Sequence, residues 1–253
     1  MEKSNQTQDK TSLKKVNGIF LTDVETCNKQ RIIMEWSFVE VNGFMAKVKE
    51  ECYIIKEVWE NEKYRNSEFA INKLAHWQEM LDTGKAKLIS IYKLYDRVNK
   101  LITERNLTLF SAFNVNFDFK AIEKTYHRFG IDKRKDYQES NKIATLKKWC
   151  LWEYSKKIYK TKPYIQWALA NGKVTDKKNI KSNAETIYQF LTENQHFQET
   201  HFGIEDLQIE YTILMSSIYQ NTLDRNNAII LNKNGSWQTV QAFRKELEEK
   251  GVI

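Results

Sequence analysis

Three short stretches carry residues able to do chemistry. The first, Phe20-Leu21-Thr22-Asp23-Val24-Glu25-Thr26, sets two carboxylates one residue apart at the end of an apolar run. Residues two apart in a strand point to the same side, so Asp23 and Glu25 share a face with Ile19 and Leu21. Two like charges that close repel, and beside a core they are costly to desolvate, so something must compensate them unless the strand ends in solvent. The second stretch, Phe113-Asn114-Val115-Asn116-Phe117-Asp118, follows another apolar run and places an acid where a helix begins. Such an acid serves a helix as a cap or a complement to its dipole even when it has no other role. The third, His201-Phe202-Gly203-Ile204-Glu205-Asp206, opens an amphipathic segment with an imidazole, the side chain that exchanges a proton near neutral pH.

The elements that must hold these residues are legible from periodicity. From Gly18 to about Trp59 the pattern is strand-like: Ile32, Met34, Trp36 and Phe38 alternate with other residues, and Asn42-Gly43 supplies a turn. Three mostly antiparallel strands are expected there. Ile71, Leu74, Trp77 and Leu81 fall at helical spacing, as do Leu88, Ile91, Tyr92, Tyr95 and Val98, with a break near Gly84. Leu107 to Phe113 reads as a strand, followed by a helix from about Asp118 that Gly130 ends. Ile143, Leu146 and Cys150 predict another helix, and the segment from Trp149 to Lys181 reads as irregular. Ala184 to Leu191 is a short helix, and Ile204, Leu207, Tyr211, Leu214 and Ile218 mark a long one. A strand at Ala228 to Leu231 and a final helix follow. The order β-β-β-α-α-β-α predicts an α/β or α+β domain with a mixed sheet flanked by helices, and it matches the α/β ribonuclease H-like sheet.

Composition narrows the setting. Lys and Arg outnumber Asp and Glu by 40 to 33, a net charge of +7, which favours an anionic partner. Three cysteines, Cys27, Cys52 and Cys150, lack both pairing and metal-ligand spacing, which fits a reducing cytoplasm. There is no apolar run of the roughly 20 residues a membrane span needs. Residues 1–15 are polar and read as a mobile tail, 16–224 as the folded domain, and 225–253 as a strand-helix appendage.

The ordered set, Asp-x-Glu on a first strand, Asn-x-x-x-Asp after a later one and His-x-x-x-x-Asp on a late helix, resembles the DEDDh 3′-to-5′ exonucleases of the ribonuclease H-like superfamily. The stretch Asn183 to Leu214 is similar to the last-motif region of bacterial and bacteriophage members, and the resemblance spans about Gly18 to Ile218. A tyrosine subclass would put Tyr at position 202; here Phe202 stands there and His201 precedes it, which indicates the histidine subclass. Departures are Cys27-Asn28 where Thr-Gly is frequent, Phe113 where His is frequent, and Gly203, Ile204 and Leu207 where Ala, Leu and Ala are common.

The resemblance implies that Asp23, Glu25, Asp118 and Asp206 ligate two Mg²⁺ or Mn²⁺ ions and that His201 is the general base. It also places Thr26 and Asn114 at the substrate. The expected activity is removal of nucleoside 5′-monophosphates from a DNA or RNA 3′ end, for a replication or repair partner such as a polymerase that the sequence leaves undefined, as it does the oligomeric state. The alternatives are a non-catalytic nucleic-acid-binding or interaction module on the same fold, and a ribonuclease H-like endonuclease. Lys147, Lys148, Lys156, Lys157, Lys160 and Lys162 interleave with Trp149, Trp152, Tyr154, Tyr159 and Tyr164. They read either as a guide for single strands or as buried aromatics beside a solvated lysine face. The 82 residues between Asp118 and His201 are expected to shape a substrate channel.

Overall fold

In a computed structural model, residues 18–42 and 46–223 are described. Three long strands, β1 (Gly18–Thr26), β2 (Ile33–Asn42) and β3 (Lys47–Ile55), form an antiparallel meander. Helix α1 (Leu74–Asp82), strand β4 (Lys87–Ile89) and helix α2 (Ile91–Glu104) lead to β5 (Leu109–Ala112) and helix α3 (Val115–Arg128). Strand β6 (Lys147–Cys150) precedes α4 (Lys162–Ala170), α5 (Ala184–Thr192) and the long α6 (Gly203–Leu223). The six strands make one mixed sheet in the order β4-β3-β2-β1-β5-β6, in which β2 alone runs against the others. This α/β architecture is consistent with a ribonuclease H-like fold. The expected tail 1–15 and appendage 225–253 lie outside the described residues, as does Gly43.

β1 sits at the middle of the sheet, so both of its faces are covered. One face packs Phe20 and Val24 into the main core with Trp36, Phe38, Phe110, Tyr95 and Tyr126. The other, carrying Ile19 and Leu21, meets Leu207 and Leu214 of α6 together with Val39, Val41 and Leu151. Leu207 and Leu214 are fully buried, and each such side chain contributes about 1.5–3 kcal/mol toward holding α6 across the sheet. Asp23 and Glu25 continue the row of Ile19 and Leu21, so α6 is aimed at them by the packing that anchors it.

Several sequence expectations are corrected. Ile71 and Leu88 lie outside the helices and are exposed; Leu88 belongs to β4, a three-residue edge strand paired with β3. Helix α3 begins at Val115, so Asp118 stands in its first turn and Asn114 holds the cap position. Gly130 follows the helix end with φ 73°, the left-handed conformation glycine adopts without a Cβ penalty. The helix expected at Ile143 to Cys150 is a 3₁₀ turn (Ile143–Thr145) running into β6. The segment expected to be irregular contains helices Leu151–Tyr154 and Lys156–Tyr159 as well as α4. Tyr159 and Tyr164 are buried there in a second core with Ile187, Ile209 and Ile213, so the packing explanation holds for them. Trp152 is the exposed member, with the Lys156 ammonium 5.4 Å from its ring centroid.

Candidate active site

The site forms where parallel strands stop pairing. β1 and β5 pair through Ile19–Leu109, Phe20–Phe110 and Leu21–Ser111, and β5 then ends at Ala112 and turns into α3. Beyond Leu21 the β1 backbone has no β5 partner on that side. The first turn of α3 supplies one: the Val24 N–H donates to Asp118 Oδ1 at 3.3 Å. Asp118 is thereby held against the peptide between Asp23 and Glu25, at the carboxyl ends of parallel strands where α/β sheets open crevices. Asp23 and Glu25 are half-buried rather than exposed, while Asp118 and Asp206 are buried.

The start of α6 is fitted closely onto β2. A Cβ on Gly203 would meet Glu35 Oε1 at 3.0 Å and Ser37 Oγ at 3.1 Å, so a glycine at this point lets the helix approach the strand. Ile204 N–H donates to Glu35 Oε1 at 3.3 Å, placing a buried carboxyl at a helix N-terminus. Glu35 is fixed from other directions by Ser37 Oγ at 3.0 Å and Trp77 Nε1 at 2.7 Å, both donating to it. Asp206 then arrives one turn along α6. One carboxylate oxygen from each of Asp23, Glu25 and Asp206 lies within 4.8 Å of the others.

Among the described residues the cluster is only partly compensated by protein cations. Burial, followed by repulsion from Glu210, Glu25, Asp118 and Asp206, holds the Asp23 carboxyl well above the usual carboxylate range. Burial raises Asp118 to about 7, against the lowering effect of backbone donors that include Val24. Asp206 is pushed up to about 8, first by burial and then by Glu199 and Glu25. Glu25 has a cation beside it, Lys73 Nζ at 2.7 Å, yet burial outweighs that attraction and its carboxyl rises to about 7. Asp23 Oδ2, Asp206 Oδ1 and Glu210 Oε2 are buried with no hydrogen-bond partner among the described residues. Hard, acceptor-only oxygens left without donors are the ligands that Mg²⁺ and Mn²⁺ prefer, so the residues fit such ions.

His201 lies beside this cluster on an exposed turn with φ 58°, in the left-handed region. Its Nδ1 is 3.9 Å from Glu199 Oε2, and one ligand atom each of Glu199, His201 and Asp206 fall within 4.8 Å of one another. The backbone of the turn is pinned more firmly than the ring: His201 C=O accepts from Lys73 Nζ at 2.6 Å, and Phe202 stacks on His76 at 3.5 Å between centroids. Thr26 is half-buried where a register shift interrupts the β1–β2 ladder, and Asn114 is exposed with no capping bond from its side chain.

All five expected acid and histidine positions are thus gathered in one region, with Thr26 and Asn114 at its margins. Four further residues had not been singled out. Glu210 is buried one helical turn after Asp206 and accepts from Phe113 N–H at 2.9 Å, tying α6 to the end of β5. Its i,i+4 spacing from Asp206 was a usable signal. Glu199, two residues before His201, carried a weaker one. Glu35 and Lys73 carried none, because each arrives through tertiary packing; Glu35 stands directly opposite Glu25 on β2. Comparisons of the chain with protein-family models, curated proteins and solved structures find no match.

Proposed function

We propose that this protein is a metal-dependent phosphodiesterase that shortens DNA or RNA from the 3′ end. The observation that carries the proposal is the convergence of Asp23, Glu25 and Asp206 within 4.8 Å, with Asp23 Oδ2 and Asp206 Oδ1 buried and without a donor among the described residues. Carboxylates this close are costly to ionise together in a low-dielectric crevice, and a divalent cation would offset that cost. Asp23, Glu25 and Asp206 would hold one divalent ion, and Asp23 with Asp118 a second. When bound, the ions supply the positive charge that offsets the phosphate and the attacking and leaving oxygens.

The protein's own groups do the rest. Val24 N–H orients Asp118, and Phe113 N–H orients Glu210 beneath it. His201, exposed at the mouth with Glu199 beside Nδ1, takes the proton of the attacking water at a ring nitrogen and passes it to solvent. Asn114 and Thr26, at the margins of the crevice, would contact the terminal nucleotide. The net charge of +7 favours approach of a polyanion to this otherwise acidic site.

Replacing Asp23 tests the assignment. Asp23→Ala should abolish Mg²⁺-dependent shortening of a 5′-labelled oligonucleotide while circular dichroism and the thermal transition show a folded protein. Undiminished shortening by that variant would remove Asp23 from the site and the proposal with it.

A further inference from the structure

Lys73 is a cation placed inside the acid cluster, and the resemblance assigned it no role. It stands immediately before α1, with its ammonium 2.7 Å from Glu25 Oε2 and 2.6 Å from the carbonyl oxygen of His201. Both contacts are short, and the Lys73 and Glu25 side chains are only 21% and 17% exposed, so solvent screens the pair weakly. The same ammonium lies 5.5 Å from the centroid of the Phe202 ring, which also stacks on His76 of α1. The start of α1 therefore grips two consecutive residues, His201 and Phe202, and one of its grips is also a grip on Glu25.

We infer that Lys73 is a positioning residue that couples the acid cluster to the turn bearing His201. One ammonium is shared between a carboxylate of the cluster and the backbone of that turn. Its carbonyl bond holds residue 201 in a left-handed conformation that a non-glycine residue adopts at a cost, and the rest of the turn is fixed by Gly203 and Ile204 against β2. The imidazole thus extends from a fixed backbone, with Glu199 Oε2 3.9 Å from its Nδ1. The same positive charge opposes a divalent cation for Glu25. Lys73 should therefore weaken ion binding while ordering His201, and these two effects have opposite signs in a variant that lacks it. This inference rests on the hydrolase reading for the role of His201, but not for the coupling itself.

Three proteins, the wild type, Lys73→Met and Lys73→Arg, separate the possibilities. Calorimetric titration with Mn²⁺ should show Lys73→Met binding about tenfold tighter than wild type, because a repelling charge next to a ligand is gone. Hydrogen exchange read by mass spectrometry over residues 200–204 should be at least about tenfold faster in Lys73→Met and return toward wild type in Lys73→Arg, which can still donate to the carbonyl. On a labelled oligonucleotide Lys73→Met should lower kcat with little change in KM. Weaker Mn²⁺ binding in Lys73→Met, or unchanged exchange over 200–204, would overturn the coupling. Absence of cleavage by the wild type would instead defeat the hydrolase reading, with the titration and exchange arms still deciding the role of Lys73.

Discussion

Neutralising Asp206 should stabilise the metal-free protein, which is the reverse of what loss of a buried polar contact usually does. Asp206 is 5% exposed and one of its oxygens has no partner. In the unfolded chain its carboxyl ionises near 3.8, and in the folded protein burial, Glu199 and Glu25 raise that to about 8. Between those values the folded state binds more protons than the unfolded state, so stability is greatest at acid pH and falls as pH rises through the window. At about 1.4 kcal/mol per pH unit, the accumulated penalty at pH 7 is on the order of 4 kcal/mol, and at pH 5 on the order of 2 kcal/mol. An Asn side chain avoids the charge but must itself be desolvated, which leaves a net gain of about 2 kcal/mol for Asp206→Asn at neutral pH. For a chain of this size that gain raises Tm by roughly 4–8 °C. The assay is thermal unfolding of both proteins in EDTA at pH 7.5 and pH 5. The advantage of Asp206→Asn should be clear at pH 7.5 and mostly gone at pH 5. A variant no more stable than wild type at pH 7.5, or an advantage that grows toward acid pH, would refute the reasoning.

Other outcomes follow from the same geometry. His201→Ala should lower kcat by roughly 100- to 10,000-fold on a labelled oligonucleotide while leaving Mn²⁺ affinity measured by calorimetry near that of wild type. Trp77→Phe removes the indole that donates to Glu35 Oε2 at 2.7 Å and should destabilise the protein by about 1–3 kcal/mol in urea unfolding, with its m-value unchanged.

The parts of the fold visible in the sequence are those whose pattern is long enough to be unambiguous. β1 and β2 run for nine and ten residues, Met34, Trp36 and Phe38 mark β2 by their alternation, and the shared face of Ile19, Leu21, Asp23 and Glu25 is the one α6 covers. The long amphipathic α6 and the glycine after α3 were equally readable. β6 was not, because Ile143, Leu146 and Cys150 repeat at helical intervals while the four-residue strand at the sheet edge presents two exposed lysines. The helical turns at Leu151–Tyr154 and Lys156–Tyr159 are too short for a period to emerge.

The site divides the same way. Asp23, Glu25, Asp118, His201 and Asp206 were identified by order along the chain, whereas Lys73 and Glu35 became visible only in three dimensions. A lysine near the start of a helix reads as a solvated face until packing brings it to Glu25. A glutamate amid the apolar residues of β2 reads as an interruption until the register sets it opposite Glu25 and beneath Gly203.

The proposed function rests on the acid crevice being a metal site that serves hydrolysis from a 3′ end. Its most direct measurement incubates the wild-type protein with 5′-labelled single- and double-stranded DNA and RNA, in Mg²⁺ and in EDTA, and resolves the products by length. The expected result is a ladder that shortens one nucleotide at a time from the 3′ end of at least one substrate, present with Mg²⁺ and absent with EDTA. Full-length label on all four substrates, internal fragments without a ladder, or shortening that persists in EDTA would contradict it.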